Sequence, residues 1–247
     1  MERAPAVFSR TVDLLGAEGF ARVRESFVVV VGLGGVGSHT VVALARSGVA
    51  RMRVVDPDVV SESSLNRHAV ASAADIGKAK AEVMASWLAG FGPAVCVQAS
   101  RVFVDAETVG EVLSGQPALV VDAIDSVGPK TELLVACVER GVPVVSSMGA
   151  SSRCDPTRLR IADISETRVC PLARRIRKWL RRRGVERGIR VVYSDEPPVA
   201  PLPPDDEVRT VDRGRVRNRQ PSMATLPGIF GFVLANLALL EISGFDR

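Results

Sequence analysis

Residues 28–38 read VVVVGLGGVGS, a run of β-branched residues that breaks into Gly32, Gly34, Gly35 and Gly37. Phe27–Val31 has no polar position, which suits a parallel strand covered on both faces rather than a strand with one face in water. The glycines let the chain turn sharply from that strand into a helix, and a missing Cβ allows a phosphate to approach the amides at the helix start. This one segment therefore predicts a strand–turn–helix unit of a nucleotide-binding α/β fold.

The following sequence repeats the same rhythm. A short helix over residues 17–25 precedes the first strand, and SHTVVALARS (38–47) is the helix after the glycines, closed by Gly48. Further strands are expected at 51–56, 94–99, 118–122 and 143–146, with helices at 78–88, 106–113 and 130–140 between them. Beyond residue 150 the pattern changes. DPTRLRIADIS and IRVVYS read as two later strands flanking a basic helix, PPVAPLPPDDE as an extended proline-rich connection, and FGFVLANLALLEISG as a closing helix. The expected fold is α/β, a doubly wound, mostly parallel Rossmann-like sheet with an elaborated C-terminal half. We expect a single domain over 1–247, with a nucleotide-binding core at 1–150 and a substrate-binding and dimerisation elaboration at 151–247.

Composition limits what else the chain can be. Hydrophobic residues make up 47% and charged residues 24%, enough to fill an aliphatic core. The apolar run 229–240 is interrupted by Asn236 and is short for a membrane span, so it reads as a core helix and no stable membrane insertion is expected. Four cysteines, with no CxxC pair and only two histidines to help them, argue against structural zinc and for free thiols in the cytoplasm. The 32 basic and 28 acidic side chains nearly balance, but RRIRKWLRRR (174–183) concentrates positive charge without an acid. Arg174, Arg175, Arg177, Lys178, Arg181, Arg182 and Arg183 form a candidate anion surface, with Trp179 and Leu180 anchoring the helix.

Asp56 ends the second strand and can accept hydrogen bonds from ribose hydroxyls. That much does not distinguish NAD from ATP. On the next loop Asn66 and Arg67 offer an amide and a guanidinium to phosphate. Lys78 and Lys80 lie at a helix start, where cations oppose the helix dipole unless an external anion compensates them, and spacing does not say which points inward. VVDAIDS places Asp122 and Asp125 at the C-terminal end of a strand, where such sheets carry chemistry, one to hold Mg²⁺ and the other to cap the next helix.

Taken in order, VVVVGLGGVGS, DPDVV, LNRH, IGKAKAEVMA, VVDAIDSVGPK and DPTRLRIADISET resemble the E1-like ThiF/MoeB superfamily of ATP-dependent adenylating proteins, and within it the tRNA threonylcarbamoyladenosine dehydratases. The likeness runs from about Phe8 to the C-terminal helix. It implies that Gly32, Gly34, Gly35 and Gly37 form the phosphate loop, that Asp56 binds the ribose, and that Asn66 and Arg67 steady the ATP phosphates. It implies further that Lys80 rather than Lys78 is the catalytic lysine, that Asp125 is the magnesium-associated aspartate, and that Arg10 matches an arginine reaching across a homodimer.

Two positions depart from the pattern. Ser64 stands where the relatives have Asn, which removes one ATP contact or leaves it to water, and His68 stands where Gln is usual. No cysteine is assigned as a nucleophile. Cys170 precedes Pro171 with no histidine nearby.

The activity implied is ATP- and Mg²⁺-dependent adenylation of the threonylcarbamoyl carboxylate of a modified tRNA adenosine, then cyclisation to a hydantoin with release of AMP and pyrophosphate. The basic stretch then has tRNA as its partner. Two alternatives have different signatures: adenylation of the C-terminus of a small sulfur-carrier or ubiquitin-like protein, indifferent to tRNA, and a noncatalytic nucleotide sensor that releases no pyrophosphate.

Overall fold

The computed structural model describes residues 6–92, 95–203 and 220–245. Its centre is a seven-stranded sheet in the order β3-β2-β1-β4-β5-β7-β6. The strands are β1 (Phe27–Val31), β2 (Arg51–Val55), β3 (Cys96–Ser100), β4 (Leu119–Asp122), β5 (Val144–Ser147), β6 (Leu159–Asp163) and β7 (Arg190–Ser194). All neighbours run parallel except β6, which pairs antiparallel with β7 at the edge. Every residue of β1 and β4 is buried, as the uninterrupted apolar runs require.

The helices are α1 (Ser9–Glu25), α2 (Gly35–Arg46), α3 (Lys80–Gly90), α4 (Val109–Val112), α5 (Val127–Glu139), α6 (Pro171–Arg182) and α7 (Thr225–Ser243). Helix α7 is long and apolar enough to cross a membrane by length and composition. Most of its apolar side chains face the fold, Phe232 being exposed: Phe230, Leu234, Leu237 and Ala238 join Val41, Leu44, Val28 and Val121 in the largest core cluster. The opposite face of the sheet is covered by α4 and α5, through Val109, Val112, Leu133 and Cys137 against Val29, Val31 and Val120.

The main differences from the sequence expectation have local causes. Helix α1 begins at Ser9 instead of residue 17: the expected helix is its second half, and a further helical segment precedes it across Gly16, whose φ 72° and ψ 164° turn the chain between the two. Helix α4 is confined to Val109–Val112, since the Asp105 carboxylate accepts the amides of Glu107 and Thr108 and holds 105–108 as a turn. Helix α3 starts at Lys80; Lys78 sits in the preceding turn, paired with Asp75 at 2.9 Å. Helix α7 starts at Thr225 and tolerates Pro227 because first-turn amides need no intrahelical acceptor.

Register positions the site. Val31 pairs with Val55 on one side and Asp122 on the other, so β1, β2 and β4 end at one level. The three loops that follow, starting at Gly32, Asp56 and Ala123, must emerge side by side.

Candidate active site at the carboxyl ends of the strands

The glycine turn is built by close approach of backbone to backbone. A Cβ on Gly37 would lie 1.7 Å from the Gly32 oxygen, and one on Gly32 would lie 2.8 Å from the Ala123 carbonyl in addition to requiring φ 89°. Gly34 differs: its φ is −73°, and a Cβ there would meet nothing within 4 Å. As the N-cap of α2, with ψ −155°, it leaves open space in front of the helix start. Helix α2 also starts without a side-chain cap, leaving its first amides and its positive end for an external anion.

Asp56 is buried against this turn. One carboxylate oxygen accepts the Leu33 amide at 2.6 Å and the other the Asp58 amide at 2.8 Å. Lys80 Nζ lies 3.1 Å from Asp58 Oδ2 and 4.0 Å from Asp56 Oδ1. Burial pushes the Asp56 carboxyl above its usual value, against the pull of Lys80. Burial alone would lower the Lys80 ammonium, but Asp56, Asp58 and, least, Asp125 together raise it above the ordinary lysine value. Lys80 is therefore a cation at neutral pH. The structure also separates the two lysines: Lys80 is nearly buried among the site's acids, while Lys78 is exposed.

Arg67 leans on the glycine turn, its Cγ 3.2 Å from where a Gly35 Cβ would stand. Its guanidinium donates to the Ser63 carbonyl at 2.6 Å and to Asn66 Oδ1 at 2.9 Å, and Asn66 Nδ2 donates to the Ser222 carbonyl at 3.2 Å. Asn66 thus links the arginine loop to the segment entering α7. Ser64 is buried, and its hydroxyl accepts the Ser61 amide at 3.2 Å as part of a reciprocal cap on the Glu62–Ser64 turn. Its side chain is committed to shaping the loop that carries Arg67.

His68 is buried. Its Nδ1 accepts the amides of Ala71 (3.1 Å) and Val70 (3.3 Å), which puts the proton on Nε2, a buried atom with no hydrogen-bond partner among the described residues. Burial, with Lys80, His39 and Arg67 nearby and Asp75 opposing them, lowers its pKa to about 4. The ring is neutral at pH 7.

The two aspartates at the end of β4 and in the loop after it divide their work differently from the expected pairing of metal ligand and helix cap. Asp122 is fully buried, 2.6 Å from Lys130 Nζ, and accepts the Ser146 hydroxyl at 2.6 Å and the Ile124 amide at 3.0 Å. Lys130, also fully buried, donates to the Ile124 carbonyl at 2.9 Å. An ion pair thus clamps both backbone groups of Ile124, and Asp125 follows it, exposed. Asp122 does not cap α5, whose N-cap position is Ser126. Lys130 was missed in the sequence, although its place three and four residues before Leu133 and Leu134 puts it on the apolar stripe of α5.

In α6 the buried residues Ala173, Ile176 and Leu180 form the inward stripe, and Arg174, Arg175, Lys178, Arg181, Arg182 and Arg183 are exposed. Arg177 is half-buried and donates to the Thr167 carbonyl at 2.9 Å, so it ties the helix down; Arg183 pairs with Glu132 at 3.1 Å. Trp179 does not anchor the helix: it is 48% exposed, and Leu180 alone of the two is in the core. Cys170 is buried with Met148, Ile164 and Ile176, remote in character from an accessible nucleophile. Arg10 is exposed in the first turn of α1.

The sequence model of the ThiF family matches residues 8–247. The chain belongs to the ThiF family. This ThiF protein is 35% identical over 240 residues to the tRNA threonylcarbamoyladenosine dehydratase of Bacillus subtilis, covering 95% of this chain and 94% of that protein. Dehydratase 1 of Saccharomyces cerevisiae is 33% identical over 247 residues, which span 96% of this chain but 58% of the yeast protein. In structure, the chain is similar to Escherichia coli tRNA N6-threonylcarbamoyladenosine dehydratase, TcdA, in complex with ATP: TM-score 0.84, 31% identity, covering 96% of this chain and 93% of that one. Escherichia coli MccB in complex with ATP has 16% identity and TM-score 0.62, a likeness of fold alone.

Proposed function

We propose that this ThiF-family chain is an ATP-dependent tRNA threonylcarbamoyladenosine dehydratase. The observation that carries the reading is the convergence of the Gly32–Gly37 turn, Asp56, Lys80 and Arg67 at the carboxyl edge of the sheet, in a chain matching almost the full length of a bacterial enzyme of that name.

The chemistry follows from charge. A carboxylate must approach a polyanion, and its oxygen is a poor leaving group until it is adenylated. The amides beginning α2 receive phosphate, with Gly34 leaving the room, and Asp56 orients the ribose while holding the Leu33 amide in the turn. Lys80 and Arg67 bring positive charge to the phosphates and stabilise the charge that develops as the carboxylate oxygen bonds to the α-phosphorus and pyrophosphate departs. The carbamoyl nitrogen nearest the adenosine then attacks the activated carbonyl, loses its proton, and AMP leaves as the hydantoin ring closes. The sum removes one water from the nucleoside.

Asp125 is the residue we assign to Mg²⁺. An exposed single carboxylate beside a phosphate site suits a metal that keeps several waters and takes its remaining ligands from nucleotide. Among the described residues no three of His, Cys, Asp or Glu gather into a protein cage. When bound, the metal neutralises phosphate charge. The assignment includes Asn66 as an orienting contact for Arg67, the exposed arginines of α6 as the tRNA surface, a homodimer in which Arg10 meets the partner's nucleotide, and a cytoplasmic setting in keeping with the free cysteines.

The deciding experiment is incubation with ATP and Mg²⁺, with and without threonylcarbamoyl-modified tRNA. The reading requires AMP release together with loss of one water mass at the nucleoside. ATP binding without pyrophosphate release on a verified substrate would replace it with a nucleotide sensor, and AMP release that depends on a small carrier protein would replace it with carrier activation.

A further inference from the structure

Helix α6 spends its largest apolar side chain on solvent. Trp179 lies outside the buried stripe of Ala173, Ile176 and Leu180, and the Arg182 guanidinium sits over its ring, 5.0 Å from the centroid. Arg175, Trp179 and Arg182 follow at four- and three-residue spacing and so share one face, with Lys178 and Arg181 beside them. The other tryptophan behaves differently: Trp87 is half-buried and stacks on Phe91 at 5.9 Å and 16°. Among the described residues no aromatic ring stacks on Trp179.

A solvated basic helix needs no exposed indole, and a phosphate-binding helix gains nothing from one through charge. A π-face bordered by cations is what a single-stranded nucleic acid uses, the bases stacking while the backbone meets arginine and lysine. The proposed substrate supplies such a strand. A threonylcarbamoyl group on N6 occupies the pairing edge of its adenine, so the modified nucleoside belongs to an unpaired region whose neighbours are open to stacking.

We propose that Trp179 is a nucleobase-stacking site: an unpaired base of the substrate RNA lies on the open face of the indole, Arg182 covers the other face, and Arg175, Lys178 and Arg181 hold the adjoining phosphates. This rests on the tRNA reading above and adds to it a contact whose strength does not come from charge.

The test uses the whole chain. Stacking of one base is worth about 1–3 kcal/mol, so Trp179→Ala weakens tRNA binding by about 5–150-fold. Trp179→Phe keeps most of the affinity. The dependence of log Kd on log salt keeps its slope in Trp179→Ala, whereas Arg175→Gln or Arg181→Gln each lowers it by roughly 0.7–0.9. In a Trp87→Phe background Trp179 is the only tryptophan, and its fluorescence is quenched and shielded from acrylamide when tRNA binds. AMP formation shows a raised KM for tRNA with kcat kept. Wild-type affinity in Trp179→Ala, or equal affinities for Trp179→Leu and Trp179→Phe, overturns stacking while leaving the tRNA reading intact provided the arginine variants lose binding. A wild-type chain that binds no tRNA overturns both.

Discussion

Gly34→Ala isolates the phosphate cradle from the fold. The native backbone is extended, φ −73° and ψ −155°, and the added methyl meets no atom within 4 Å. Without ligand, the freedom removed from the unfolded chain is opposed by placing alanine, a poor N-cap residue, at the start of α2, so stability changes by no more than about 1 kcal/mol, a shift in Tm of at most roughly 4 °C for a domain of this size. With nucleotide a larger cost appears. A methyl group forced between the loop and a phosphate costs about 1–3 kcal/mol as overpacking, which weakens ATP binding by about 5–150-fold. The comparison variant is Gly37→Ala, whose methyl would sit 1.7 Å from the Gly32 oxygen; it loses stability even without ligand. Differential scanning calorimetry gives the first quantity and titration calorimetry with ATP the second. Gly34→Ala with parental ATP affinity would show that phosphate does not lie over Gly34, and the nucleotide assignment of the turn would fail with it.

Three further perturbations address other parts of the site. Lys80→Ala removes the cation between Asp56, Asp58 and the proposed phosphates; the chain stays folded by circular dichroism but forms no AMP, and undiminished AMP formation counts against the role of Lys80. Lys130→Met strands a fully buried carboxylate, at a cost of about 3–5 kcal/mol in urea unfolding, and adding Asp122→Asn recovers part of it; a loss below about 1 kcal/mol refutes the clamp. His68 has its pKa lowered to about 4, against an ordinary value of 6.5, so between those values the unfolded chain binds the extra proton and stability falls as pH falls. His68→Gln flattens that limb by about 2–3 kcal/mol at pH 4 relative to pH 7, and unchanged pH dependence denies the buried neutral ring.

The sequence was most legible where one physical cause dominates. Burial on both faces forces Phe27–Val31 and Leu119–Asp122 to be wholly apolar up to the terminal acid, and the close approach of Gly32 and Gly37 forbids any other residue. It was least legible where a tertiary partner decides. Spacing gave Lys78 and Lys80 equal standing; Asp75, a local i,i+3 neighbour, takes the first, but the choice turns on Asp56 and Asp58, distant in sequence, which take the second. Adjacent Trp179 and Leu180 look alike as apolar residues, yet one helical step of about 100° puts one outside and one inside. Asp122 and Asp125 resemble each other in VVDAIDS, and only the buried Lys130 marks the first as architecture.

Helix α5 touches both halves of the proposed chemistry. Its first turns seat the loop that presents Asp125, through Lys130 and Ile124, while Leu134 and Val135 on its flank pack in one cluster with Ile176 and Leu180 of α6. On the proposed reading it is a ruler. An RNA held along α6 would deliver a carboxylate to the nucleotide only if the span from grip to reactive group matched the fixed offset between α6 and the loop before α5. Selection among RNAs would then be made by reach, and it could be reset by shifting α6 along α5 by one turn without altering any group that touches ATP.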